Sequence, residues 1–121
     1  MHALIIEDEP LTALAIEDCL RLLGYSSIDF AVTEADAVAV ALAHPPDLIT
    51  SDVRLAAGCG IAAVAQIVDG AAIPVVFVTG TGAEVRLQAP GAALVEKPFA
   101  ADELARKVRA LTVAGPPNPP M

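Results

Sequence analysis

Five side chains carry charge or a hydroxyl at places where packing gives them no purpose: Glu7, Asp8, Asp52, Thr79 and Lys97. Asp52 shows the pattern best. The run Leu48-Ile49-Thr50 leads out of a Pro45-Pro46 break and ends on Ser51-Asp52. A short apolar run bounded by breakers reads as a buried strand, and Asp is among the residues least often buried unless paired. Alone, Asp52 reads most simply as a solvated strand end. The other four each have a similarly ordinary reading. Glu7-Asp8-Glu9 before Pro10 suits an acidic helix start, Thr79 before Gly80 a turn, and Lys97 a solvated lysine. Their co-occurrence changes the odds. They fall at the same end of four different apolar runs, Glu7 and Asp8 sharing the first, at intervals of whole strand–helix units.

Together these residue types suit phosphoryl chemistry. Carboxylates crowded at neighbouring strand ends cannot all stay charged and unpaired without cost. A hard divalent cation resolves the conflict, and Mg²⁺ takes one or two carboxylates plus waters and phosphate oxygens. A carboxylate beside such an ion can attack a phosphoryl group and become an aspartyl phosphate. The phosphoryl oxygens then need positive charge and donors, which the ion, the Lys97 ammonium and the Thr79 hydroxyl would supply.

The elements that must position these groups are legible in order. Ala3–Ile6 reads as a first strand. Pro10 opens a helix, where its missing N–H costs nothing, and Leu11, Leu14, Ala15, Cys19 and Leu22 recur at helical spacing before Gly24 stops it. Ile28–Val32 reads as a second strand, polar enough at its start to be an edge. Thr33 begins a second helix with Asp36 three residues on, and His44-Pro45-Pro46 ends it. After the Asp52 strand come a loop with Gly58 and Gly60 and a third helix on Ile61, Val64, Ala65 and Val68. Ile73–Thr79 is almost wholly apolar, as in a strand covered on both faces, with Pro74 confined to its beginning. Ala83–Gln88 allows only a poor fourth helix. Ala92–Val95 is the fifth strand, and Ala101–Leu111 the last helix, with Asp102 and Glu103 in its first turn and Lys107 and Arg109 near its end. Alternation of this kind implies an α/β fold: a doubly wound, flavodoxin-like (βα)5 parallel sheet. The order 2-1-3-4-5, common in folds of this kind, would bring the ends of strands one, three, four and five together. Residues 1–112 are expected to form one domain, and the proline-rich residues 113–121 a disordered tail.

Composition narrows the function classes. The 121 residues suit a single core. Seven Lys and Arg against fifteen Asp and Glu give a net charge of −8, which repels phosphate backbones and argues against direct nucleic-acid binding. The N-terminus lacks the basic region of a signal peptide, and no apolar run approaches a membrane span. A cytoplasmic protein is expected, with Cys19 and Cys59 as reduced packing residues.

The motifs Leu4-Ile5-Ile6-Glu7-Asp8-Glu9-Pro10, Asp47 through Asp52, Val78-Thr79-Gly80 and Lys97-Pro98-Phe99 resemble those of response-regulator receiver domains of two-component signalling. The resemblance covers about Ala3 to Leu111. It implies Asp52 as phosphoacceptor, Asp8 as a direct Mg²⁺ ligand, Glu7 acting mostly through water, and the Arg54 backbone carbonyl completing the metal's ligands. It further implies Thr79 and Lys97 contacting the phosphoryl group, and a cis Lys97-Pro98 bond. The implied partners are a histidine kinase or phosphotransfer protein as donor and a downstream protein target, with the chain a monomer or weak dimer. Leu94 stands where the family usually has an aromatic switch residue. The run Pro74 through Gly82 instead resembles an alphaproteobacterial stress-signalling subgroup with a Pro-Phe-x-Phe-Ala-Thr-Gly-Tyr-Gly motif, with Val75 and Thr81 replacing aromatics.

Two other functions compete. A small-molecule phosphatase or phosphotransferase of the haloacid-dehalogenase type needs a second Asp two residues after the nucleophile, where this chain has Arg54, and a cap domain. A degenerate receiver serving as a scaffold is disfavoured by the intact Asp8, Asp52, Thr79 and Lys97. A receiver of either main kind would not be an enzyme beyond its own phosphorylation and dephosphorylation.

Overall fold

A computed structural model describes residues 1–69 and 71–113. Among them, five strands and five helices alternate: β1 (His2–Ile6), α1 (Pro10–Leu22), β2 (Ser27–Ala31), α2 (Glu34–Ala43), β3 (Leu48–Ser51), α3 (Gly60–Ile67), β4 (Val75–Thr79), α4 (Gly82–Gln88), β5 (Ala93–Glu96) and α5 (Ala101–Val113). The sheet is parallel, in the order β2-β1-β3-β4-β5. The expected disordered tail falls almost wholly on residues 114–121, outside the described residues.

Strand periodicity explains the double winding. Successive residues of a strand face opposite sides of the sheet. In β1, Ala3 and Ile5 join a core with Ile16 and Leu20 of α1 and Leu104 and Val108 of α5. Leu4 and Ile6 face the other way, onto Ala37 and Ala41 of α2 and Ala63 and Val64 of α3. β4 repeats the division, with Val76 and Val78 on the first side and Phe77 on the second. A strand buried on both faces must be apolar throughout, which is why these runs do not alternate with polar residues. β2 keeps Ser27 and Phe30 exposed and is an edge, as its polar start suggests.

Several boundaries differ from those read in the sequence, for reasons of hydrogen bonding. β1 begins at His2 and β2 at Ser27, because main-chain pairing of His2 with Ser27 needs no apolar side chain. β4 begins at Val75; Pro74 has no N–H to give, and contributes only its carbonyl, accepting from Ile49 N at 3.0 Å. The fourth helix is short, as expected, yet it forms over seven residues and buries Val85. No helix of the described residues is long and apolar enough to cross a membrane.

Local capping also follows the sequence. Thr33 is the N-cap of α2, and its hydroxyl accepts from Asp36 N at 3.0 Å. Removing that acceptor leaves a helix N–H to water alone. Thr33→Ala should therefore cost about 1 kcal/mol, read as a fall of roughly 4 °C in thermal midpoint. Thr33→Ser should restore most of it; an unchanged midpoint for Thr33→Ala would refute the cap's contribution.

Candidate functional site

The sheet ladders place the five side chains. Glu7 N donates to Ala31 O and Asp52 N to Ile6 O, both at 2.9 Å, so the chain stays in register one step beyond β1 and β3. Lys97 N donates to Thr79 O at 3.0 Å, extending the β4–β5 pairing in the same way. The carboxyl ends of β1, β3, β4 and β5 thus deliver Glu7, Asp8, Asp52, Thr79 and Lys97 to one cleft.

Charge is concentrated there. The Glu7 side chain is fully buried and that of Asp52 is 10% exposed. Lys97 Nζ lies 2.8 Å from Asp52 Oδ2, 3.0 Å from Glu7 Oε1 and 2.8 Å from Glu9 Oε1. Burial alone lowers the affinity of the Lys97 amine for its proton. Hydrogen bonds to Asp52, Glu9 and Glu7 outweigh it, and the ammonium is held above its ordinary range. Glu7 moves upward: burial disfavours its charge, and the Lys97 hydrogen bond and the Glu9 N–H only partly offset this. Lys97 bonds Glu7 through Oε2 at 3.3 Å, while Oε1, though near the ammonium, has no aligned donor.

The remaining contacts orient the centre. Asp52 Oδ1 accepts from Val53 N at 2.6 Å, and Ser51 Oγ donates to the Asp52 carbonyl at 2.8 Å. The buried Thr79 hydroxyl pairs with Thr81 Oγ1 at 2.9 Å and accepts from Thr81 N at 3.1 Å, so it is turned toward the start of α4. The Arg54 side chain reaches across to Glu84 of α4 at 2.9 Å. Arg86 of α4 pairs with Glu96 at the end of β5. The Lys97-Pro98 bond is cis.

One carboxylate oxygen from each of Glu7, Asp8 and Asp52 lies within 4.8 Å of the others. An all-oxygen donor set of this kind, with Glu7 Oε1 buried and undonated, fits a hard divalent cation such as Mg²⁺.

Three participants were not picked out from the sequence. Glu9 is a direct partner of Lys97, and Glu84 of Arg54. Gly60 packs against the Asp52 backbone, where a side chain would collide. Glu9 was visible as part of an acidic run, but nothing local told which of its members faces Lys97, 88 residues away.

Comparison with known proteins agrees with this geometry. Residues 3–109 match the family described as response regulator receiver domain. The phyllosphere-induced regulator PhyR of Methylorubrum extorquens is 41% identical over 78 residues, covering 63% of this chain and 29% of that protein. The solution structure of the receiver domain of Erythrobacter litoralis PhyR superposes with a TM-score of 0.86 at 30% identity, covering 99% of this chain and 95% of that one. The receiver domain of the Pseudomonas aeruginosa sensor histidine kinase PA1611, solved with magnesium coordinated in its active-site cleft, gives a TM-score of 0.78 at 29% identity, covering 91% of this chain and 95% of that one. The first curated relatives are longer proteins, of which the chain spans 35%, 29% and 52%. The PhyR likenesses agree with the subgroup resemblance seen around Thr79.

Proposed function

Since the chain belongs to the response regulator receiver domain family, we propose that it is a phosphorylation-controlled switch in which Asp52 accepts a phosphoryl group from a histidine kinase or phosphotransfer protein. The observation that carries this reading is the approach of Lys97 Nζ to Asp52 Oδ2 at 2.8 Å beside the Glu7–Asp8–Asp52 carboxylates. The pair presents a nucleophilic oxygen already next to the charge that its product needs.

The transfer is balanced by the donor. An Asp52 oxygen forms a bond to phosphorus as the donor histidine's P–N bond breaks. The electron pair stays on the imidazole nitrogen, which takes up a proton. Asp52 Oδ1 remains held by Val53 N–H, so Oδ2 is the oxygen free to attack once Lys97 moves from it to a phosphoryl oxygen. Glu7, Asp8, Asp52 and the Arg54 carbonyl would hold Mg²⁺, which would supply a second positive charge to the phosphoryl group. Preorganised charge of this kind gives most of the stabilisation available to a phosphoryl transfer.

The switch begins at Thr79. Its hydroxyl must leave Thr81 to donate to a phosphoryl oxygen, and Thr81 is the N-cap residue of α4. Two ion pairs hold α4 in its present place, Arg54–Glu84 and Arg86–Glu96. Both are exposed and weak individually, as suits a segment that shifts between two positions with modest energy. Leu94, half-buried where an aromatic switch usually stands, packs within the α4-side core. The moving surface is therefore α4 and the Gly80–Gly82 turn, through which the protein would reach a downstream protein target in the cytoplasm. A monomer or weak dimer is sufficient for this, and the net charge of −8 disfavours contact with nucleic acid.

Beryllofluoride with Mg²⁺ tests the reading. Amide resonances of Thr79–Thr81 and Lys97 should shift in a saturable titration that requires both reagents. A titration without shifts would favour a receiver that serves only as a scaffold.

A further inference from the structure

At the amino end of the sheet, away from the Asp52 cleft, a second group of ligating side chains meets. His2 opens β1, Asp29 lies within β2, and His44 is the C-cap residue of α2. His2 Nε2 is 3.0 Å from Asp29 Oδ2, and His44 Nδ1 is 3.2 Å from the same oxygen. One ligating atom from each residue lies within 4.8 Å of the others. The pairing of His2 with Ser27 fixes this arrangement, since Asp29, two residues beyond Ser27, emerges on the same face of β2.

The buried imidazole carries the argument. The His2 side chain is 8% exposed. Its Nδ1 faces the Ser27 carbonyl oxygen at 3.1 Å and the Ser27 hydroxyl at 2.8 Å. A carbonyl only accepts, so the Nδ1–H tautomer donates there and turns an Nε2 lone pair toward Asp29, whereas an Nδ1 accepting from the Ser27 hydroxyl leaves Nε2–H donating to Asp29. An imidazole whose Nδ1–H is held by a backbone carbonyl is the usual arrangement of a metal-ligating histidine. With Nδ1 protonated, a neutral Nε2 and a carboxylate oxygen 3.0 Å apart are two facing lone pairs. In this tautomer a cation must lie between them, either a proton or a metal ion.

Three features favour the metal. A second imidazole nitrogen approaches the same Asp29 oxygen, and separations of 3.0 and 3.2 Å match neighbouring ligands on an ion with bonds of about 2.05 Å. His44 itself caps the C-terminus of α2, whose negative dipole end favours a cation nearby. Asp47, whose carboxylate accepts from the His2 backbone N at 2.7 Å, adds a further negative charge near His2. The rings of His2 and His44 are stacked, with centroids 3.6 Å apart. His44, half-exposed beyond the helix end, must pivot about its own side-chain bonds to bring its nitrogen onto a shared ion.

We propose that His2, Asp29 and His44 form a binding site for a borderline divalent transition-metal ion such as Zn²⁺ or Co²⁺, separate from the Asp52 cleft. Two imidazoles and one carboxylate suit these ions and not Mg²⁺, which prefers oxygen ligands alone. A bound ion would fasten β1, β2 and α2 together at the sheet's amino end.

Tag-free protein in excess Mg²⁺, which occupies the acidic cleft, would be titrated with Co²⁺ and followed by its visible d–d absorption. One equivalent of Co²⁺ displaced by Zn²⁺ is expected. His44→Gln and Asp29→Asn should each weaken binding at least tenfold with unchanged circular dichroism, whereas Asp8→Asn should leave it intact. Imidazole ¹⁵N shifts of His2 should move at Nε2 on adding Zn²⁺. Absence of d–d bands, or affinity lost only in Asp8→Asn, would overturn the site. So would a His2 ring that carries protons on both nitrogens and ignores Zn²⁺; the bridging cation would then be a proton.

Discussion

Asp52→Asn is expected to abolish labelling by acetyl phosphate or phosphoramidate with Mg²⁺, a loss of at least about 10³-fold, since Asp52 Oδ2, 2.8 Å from Lys97 Nζ, is the oxygen the proposed transfer uses. The physical contrast between the two side chains is narrow. Asn keeps the shape of Asp and an oxygen to accept from Val53 N, the 2.6 Å bond that orients Oδ1. It lacks the charged oxygen that forms the bond to phosphorus. Lys97 keeps Glu7 and Glu9 as partners, so the ammonium is not stranded. Removing one of three crowded carboxylates also relieves repulsion on buried Glu7, which the Asp52 charge otherwise holds upward in addition to burial. The variant should therefore fold at least as well as the parent, and its thermal midpoint serves as the control. Intact mass after labelling gives the measurement. Undiminished labelling of a folded Asp52→Asn chain would sink the assignment of the phosphoacceptor.

Among the described glycines, Gly60→Ala should be the most damaging substitution by alanine. A Cβ at this position would overlap the Asp52 carbonyl oxygen and sit 2.8 Å from its carbonyl carbon and 2.5 Å from Ser51 Oγ. Two of these are backbone atoms of a buried strand end, so no rotamer change relieves the clash. Movement would break Gly60 N–H to Val53 O, at 2.7 Å, and Ser51 Oγ–H to Asp52 O, at 2.8 Å. Overpacking of this severity costs about 3 kcal/mol or more, read as a fall of roughly 10 °C in thermal midpoint. Whatever folded population remains should accept phosphoryl groups more slowly, because the displaced carbonyl belongs to Asp52 itself. Gly80→Ala is the control: a Cβ there meets nothing within 4 Å and should change the midpoint by less than about 0.5 kcal/mol equivalent. Equal stability of Gly60→Ala and the parent would show that this close approach does not exist in solution.

Both outcomes turn on the same few backbone steps after β3, and they separate two kinds of information. The alternation of apolar runs with amphipathic segments was readable because burial acts residue by residue. Strands covered on both faces must be apolar at every position, helices at every third or fourth, and Gly24, Pro45-Pro46 and Pro74 interrupt the chain through their own backbone chemistry. Those local constraints suffice to put Glu7, Asp8, Asp52, Thr79 and Lys97 at strand ends, and a parallel sheet sends all such ends the same way. They are weaker at boundaries, where pairing of His2 with Ser27 or the missing N–H of Pro74 decides, and weakest for the short α4.

Which side chains touch was not written locally. Nothing near Glu9 distinguishes it from Asp8 as a partner of Lys97, and nothing near Glu84 announces Arg54. Thr79 could be placed at the cleft from its position, but only the turn into α4 decides that its hydroxyl rests on Thr81. The two loop glycines, Gly58 and Gly60, looked alike in sequence, yet only at Gly60 does the chain press on the Asp52 carbonyl. His2, Asp29 and His44 form no motif at all, being joined by a strand register and a helix end. The sequence by itself determined the fold class and the strand ends that carry reactive groups, because burial and backbone propensity are properties of short segments. The tertiary structure alone decided the pairings, because hydrogen bonds and ion pairs depend on distances of a few ångströms between segments that only the packed sheet brings together.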